Sequence, residues 1–158
     1  MIKGAIYENI NVNHTYLEKT FEVINNKQKE YNWLITDIEY FPMNKSTITL
    51  MDKEYVWISG EDLTSMIKYE EFLITWGVFT GFKKDIKFED IMKYELPYAN
   101  GYGGFWEEKI SIQNPLADIE LVAWDGLLIL FISKDEDLVK EFKNGLSKSQ
   151  DLLEYNSK

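Results

Sequence analysis

The sequence predicts a single α+β domain, built on a largely antiparallel sheet with about four short helices. Three observations point there. Short runs of alternating apolar residues are separated by turn chemistry, and the helical periodicities fall in separate stretches rather than between each pair of strands. An Asp125-Gly126 pair also sits between two strand-like halves, and Asp-Gly favours a two-residue hairpin turn because both positions need positive φ.

Taken in order, residues 2–7 alternate as a short strand. Thr15-Tyr16-Leu17-Glu18 offers a capping box, after which Leu17, Phe21 and Ile24 fall at helical spacing until Asn25-Asn26. Residues 31–41 are rich in Trp, Ile and Tyr and stop at Pro42, as a strand would. Residues 47–51 and 54–59 read as a hairpin turning at Asp52-Lys53. Ser59-Gly60-Glu61-Asp62 starts a helix with Leu63, Met66 and Ile67 as its buried stripe. Residues 72–82 form a strand in which Gly77 and Gly81 mark a bulge or a close approach of backbone.

Asp85 caps a short helix carrying Phe88, Ile91 and Met92, which Pro97 ends. The run 97–106, Pro-Tyr-Ala-Asn-Gly-Tyr-Gly-Gly-Phe-Trp, is a loop; 108–113 alternates as a strand and stops at Asn114-Pro115. Residues 118–133 form the Asp125-Gly126 hairpin. Ser133-Lys134-Asp135-Glu136 is a second capping box, followed by Leu138, Val139, Phe142 and Leu146 on one helical face. Residues 1–146 thus make one domain, and 147–158 a loosely ordered tail with Leu152, Leu153 and Tyr155 as its anchors.

Composition narrows the function classes. The 158 residues are 45% hydrophobic and 15% aromatic, enough for a core without staples. Without cysteine, disulfides, thiolate metal sites and cysteine nucleophiles are excluded. The N-terminal residues lack the pattern of a secretory leader, and the longest strongly apolar run, 127–132, is too short to cross a bilayer, so a cytoplasmic protein without membrane contact is expected. All 17 basic residues are lysine, and 27 acids bring the net charge to −10. Arginine's bidentate fork is missing and the charge repels phosphate backbones, so no nucleic-acid partner is expected.

Motifs for catalysis are sparse. His14, the one histidine, lies in a polar run before a helix and is read as solvated rather than as a general base, because no Gly-x-Ser-x-Gly elbow accompanies it. Asp37 with Glu39, and Asp118 with Glu120, are carboxylates two residues apart on strands. Such pairs share one face and could seat a cation or supply acid and base; the plainer reading is the outward face of a half-buried sheet. Gly101, Gly103 and Gly104 do not make a phosphate loop, since a helix precedes them and a strand follows. No cofactor or metal is implied.

The aromatic loop carries the remaining signal. Tyr98, Tyr102, Phe105 and Trp106 stand among small residues, the composition binding surfaces use; a loop with its rings tucked over the core is the alternative. These four, with Asp118 and Glu120, are the candidate site residues.

Several motifs together resemble a known family: Tyr31-Asn32-Trp33-Leu34-Ile35, Tyr55-Val56-Trp57-Ile58-Ser59-Gly60, Trp76-Gly77-Val78-Phe79-Thr80-Gly81-Phe82, Pro97-Tyr98-Ala99-Asn100-Gly101, and the stretch from Gln113 through Glu120 with Trp124-Asp125. As a set they are similar to a family of small acidic proteins from bacilli and related Firmicutes, known only as a domain of unknown function. The resemblance implies a bacterial host and no catalytic residues. The expected function is a non-enzymatic protein-binding domain, in its sharpest form an immunity-type protein neutralising a basic toxin. The alternative is a small-ligand binder or enzyme using carboxylates near the glycine-rich loop. A concave pocket with Asp118 or Glu120 facing the loop's rings would favour that alternative.

Overall fold

The computed structural model describes residues 1–8, 17–41, 52–69 and 73–158. Its centre is a seven-stranded sheet in the order β3-β2-β4-β5-β6-β1-β7, with every pairing antiparallel. The strands are β1 (Lys3–Glu8), β2 (Tyr31–Phe41), β3 (Tyr55–Ser59), β4 (Leu73–Lys83), β5 (Ile119–Trp124), β6 (Leu128–Ser133) and β7 (Gln150–Asp151). Five α-helices accompany it among the described residues: α1 (Leu17–Val23), α2 (Gly60–Tyr69), α3 (Phe88–Ile91), α4 (Glu136–Gly145) and α5 (Leu152–Asn156). The predicted α+β class is the observed one.

Alternation along the strands divides the core in two. One face sends Trp33, Ile35, Phe79, Leu121 and Phe131 under α1, α2 and α4, which contribute Phe21, Leu63, Leu138 and Phe142. The other sends Leu34, Val78, Phe82, Val122, Leu130 and Ile132 toward a loop-rich layer holding Ala99, Phe105, Ile110, Ile112 and Leu152. Gly81 shows why a strand glycine was needed: a Cβ there would meet the Trp33 ring at 3.1 Å and Ile119 at 3.2 Å.

Two helix ends match the local signals in the sequence. Asn25 and Asn26 end α1 with left-handed φ of 56° and 58°, a conformation asparagine tolerates. Ser59 Oγ accepts from the Asp62 amide at 3.1 Å and caps α2. Two caps move by a residue or two. Asp135, not Ser133, caps α4 by accepting from the Asp137 amide, while Ser133 Oγ accepts from the Asp135 amide. Lys87 rather than Asp85 occupies the position before α3.

Asp125-Gly126 does form the hairpin tip, with φ of 51° and 67° and a Leu127 amide bond to the Trp124 carbonyl at 2.9 Å. Trp124 pairs with Leu128, however, so the loop holds Leu127 as a third residue beyond the expected two-residue turn.

Two expectations are corrected. Residues 108–113 make no strand; they lie across the loop-side face and bury Ile110 and Ile112. Their alternation reports that burial. The tail from 147 is not loose: β7 pairs with β1 through Ala5–Asp151 and Ile6–Gln150, and α5 follows with Leu152 fully buried. Its side chain closes on Gly4, where an added Cβ would come within 2.9 Å. The capping box at Thr15, His14 and the first half of the hairpin predicted for 47–59 lie outside the described residues.

Candidate functional site

Much of the loop layer is coil, so backbone groups left without a backbone partner need side chains. Three residues supply them to the segment around Tyr98. The Thr36 hydroxyl donates to the Pro97 carbonyl at 2.7 Å. Asp37 Oδ2 accepts from the Ala99 and Asn100 amides at 2.8 and 3.0 Å. Gln113 clasps both backbone polar groups of Tyr98: Oε1 accepts from the Tyr98 amide at 3.1 Å, and Nε2 donates to its carbonyl at 3.0 Å.

Asp37 reaches the loop because the β2–β4 pairing slips between Thr36 and Glu39, where Asp37 adopts a φ of 50°. The bulge therefore dissolves the expected Asp37–Glu39 pair: Asp37 becomes a loop anchor and Glu39 is exposed.

Beneath Gln113 lies Glu120, fully buried on the loop-side face of β5. Its Oε2 accepts from the Gln113 amide at 2.9 Å and Oε1 faces Gln113 Nε2 at 3.3 Å. Across the β4–β5 ladder it faces Thr80, whose buried hydroxyl has no hydrogen-bond partner. Burial pushes the Glu120 carboxyl up to about 7, and the Gln113 hydrogen bonds offset only part of that rise. The expectation of an outward-facing carboxylate is thus overturned for Glu120. Asp118 precedes β5 and belongs to a joint: its carboxylate lies 3.5 Å from Lys83 Nζ, and its carbonyl accepts from Ser133 Oγ at 2.9 Å. It does not share a site with Glu120.

The four aromatic residues form one continuous edge-to-face run. Tyr98 and Tyr102 lie 5.2 Å apart at 78°, Tyr102 and Phe105 4.7 Å apart at 72°, and Phe105 and Trp106 6.3 Å apart at 81°. Trp106 ends against Trp124 at 5.1 Å. Phe105 is 2% exposed, Tyr102 and Trp106 are half-buried, and only Tyr98 among the four is exposed, at 45%. Most of the run is therefore core of the loop layer, and Tyr98 is its outlet. The Tyr102 hydroxyl is also held above its ordinary value, by burial first and then by the Glu120 charge.

Beside Tyr98 a cleft of about 350 Å³ opens, lined by Glu95, Leu96, Tyr98, Tyr102 and Gln113. The sequence reading found Tyr98 and Tyr102, named Asp37 only as half of a carboxylate pair, and missed Glu95, Gln113 and the anchor Thr36. Gln113 had a signal, a polar residue closing an apolar alternation just before Asn114-Pro115; Glu95 had none among so many acids. Among the described residues, no group of three or more His, Asp or Glu side chains is placed to hold a metal ion. No helix of the described residues is long and apolar enough to cross a membrane. Comparison of the chain with protein families, curated proteins and solved structures finds no match.

Proposed function

We propose that this protein is a non-enzymatic binding domain that takes hold of a protein partner through a basic side chain entering the cleft beside Tyr98. The observation that carries this reading is the cleft's composition: the Glu95 carboxylate and two tyrosine rings set nearly at right angles, over a floor fixed by Gln113. An ammonium or guanidinium group is attracted both by the carboxylate and by the face of a tyrosine ring. The net charge of −10 would steer a basic partner toward this surface. Neutralisation of a basic toxin by an immunity-type protein is the sharpest form of the reading. Binding is favoured over turnover because Glu120, the carboxylate with a catalytic-range pKa, is sealed beneath Gln113.

The test is binding of Lys- and Arg-containing peptides, against acidic and neutral ones, by isothermal titration calorimetry at low and high salt. Basic peptides should bind in a salt-sensitive manner, and Tyr98→Ala or Glu95→Gln should weaken them by about tenfold or more, as loss of a hot-spot contact does. Equal binding of neutral peptides, or indifference to both variants, overturns the reading. The compact size of the cleft supports a second reading, a small-amine binder. It would reveal itself by binding of free alkylamines as tight as that of the peptides.

A further inference from the structure

Resting on that reading of the Tyr98 cleft, we propose that Glu120, Gln113 and Tyr98 form a proton-operated latch: the loop layer is closed over the sheet while Glu120 carries a proton and loosens when the proton leaves. The three are linked in series. Glu120 receives the Gln113 main-chain amide at 2.9 Å, and the Gln113 side chain grips the Tyr98 amide and carbonyl at 3.1 and 3.0 Å. Tyr98 is in turn a wall of the cleft. Whatever displaces Gln113 from Glu120 therefore displaces a wall of the recognition site.

Glu120 is fully buried with no cation beside it among the described residues, which favours the neutral carboxyl, while its two Gln113 N–H donors favour the anion; burial is the larger effect. Its neighbours across the two ladders are Thr80 on β4 and Ile132 on β6. The Thr80 hydroxyl makes no hydrogen bond, so it does not compensate a charge. From the loop, Gln113 provides two N–H groups, and Tyr102 is the titratable side chain that senses Glu120. Lys83, the cation at the end of β4, is engaged with Asp118. A fully buried carboxylate with two amide donors and no cation is costly, and a protein relieves such a charge by protonating the group or by admitting water. The sheet cannot yield, because β5 is hydrogen-bonded on both sides. The segment above it is the softer side at Gln113, which belongs to no strand and is fastened there by its bonds to Glu120 and Tyr98. Loss of the proton thus opens the layer at Gln113.

The latch is tested on the 158-residue chain without any partner, by amide hydrogen exchange between pH 6 and pH 8. The Tyr98 and Gln113 amides are both donors in the clasp, and the β5–β6 ladder amides serve as internal reference. Relative to the ladder, protection at Tyr98 and Gln113 should fall by about tenfold over this interval, the linkage expected when a carboxyl near 7 returns to its ordinary value on opening. Glu120→Gln should abolish that pH dependence. Parallel behaviour of loop and ladder, or a pH dependence that survives Glu120→Gln, overturns the latch. Should Glu120→Gln fail to fold, the wild-type profile alone decides, because its reference is internal. A failed latch leaves the peptide-binding test untouched, and a failed peptide test leaves the exchange profile readable.

Discussion

Asp37 should be the most sensitive single anchor of the loop layer, and its substitutions should separate three contributions. The carboxylate accepts from two backbone amides, those of Ala99 and Asn100, while its own backbone sits at φ 50°. Ala99 is fully buried, so losing the acceptor leaves a buried donor unpaired, at a cost of about 1–3 kcal/mol. Asn100 is exposed and water replaces its bond, for roughly 0.5 kcal/mol. Alanine in the left-handed region adds about 1 kcal/mol. Asp37→Ala should therefore cost about 3 kcal/mol, or roughly 6–12 °C in melting temperature for a domain of this size. Asp37→Gly relieves the backbone strain and should cost about 2 kcal/mol. Asp37→Asn keeps both the backbone preference and a neutral acceptor, so about 1 kcal/mol is expected, because charge-assisted bonds are roughly twice as strong as neutral ones. Urea unfolding of the four proteins, with equal m-values, provides the assay. An Ala variant as stable as the wild type, or an Asn variant as damaged as Ala, would refute the assignment of Asp37 as anchor.

Three further outcomes follow from the geometry. Phe105→Ala should cost about 3–5 kcal/mol, as removal of a buried ring does, whereas Tyr98→Ala should stay within about 0.5 kcal/mol of wild type; thermal melts of the two variants distinguish core from outlet. Gly126→Val should destabilise by more than about 1 kcal/mol, because a β-branched residue resists the φ of 67° found there; a hairpin unaffected in a chemical melt would contradict it. Glu120 has a folded pKa raised to about 7 from an ordinary 4.5, so its contribution to stability is fully present below about pH 4.5 and declines as pH rises to about 7. The decline is on the order of 3 kcal/mol, and Glu120→Gln should remove it from the pH profile of unfolding.

What the sequence made legible was what local chemistry decides. The Asp-Gly pair, the Asn-Asn stop and the apolar stripe through Leu138, Val139, Phe142 and Leu146 each act within a few residues, and each is found in place. Failures arise where a remote partner decides. Nothing local distinguishes Asp37 from Glu39; a slipped register with β4 turns one toward Ala99 and leaves the other in solvent. Nothing local distinguishes Asp118 from Glu120 either, yet one pairs with Lys83 and the other lies under Gln113. Residues 108–113 alternate like a strand but are buried as coil, and the tail acquires order from its pairing with β1 and from Leu152 packing over Gly4.

The two faces of the sheet are therefore held by different physics. On one, helices satisfy their own backbones and need only bury apolar stripes. On the other, a layer of mostly coil buries Phe105, Ile110 and Ile112, and several of its carbonyls and amides take polar side chains from distant positions as partners. Thr36 and Asp37 come from β2 and Gln113 from the crossing segment. Asn156 of α5 donates from Nδ2 to the Phe105 carbonyl at 2.9 Å and the Glu107 carbonyl at 3.1 Å. Coil segments outside a ladder open locally more readily than sheet strands do. The same fastening keeps Phe105 inside and leaves Tyr98 beside the cleft. The proposed recognition at the Tyr98 cleft and the proposed proton sensing at Glu120 thus meet in one residue, because Gln113 bonds both Glu120 and the Tyr98 backbone.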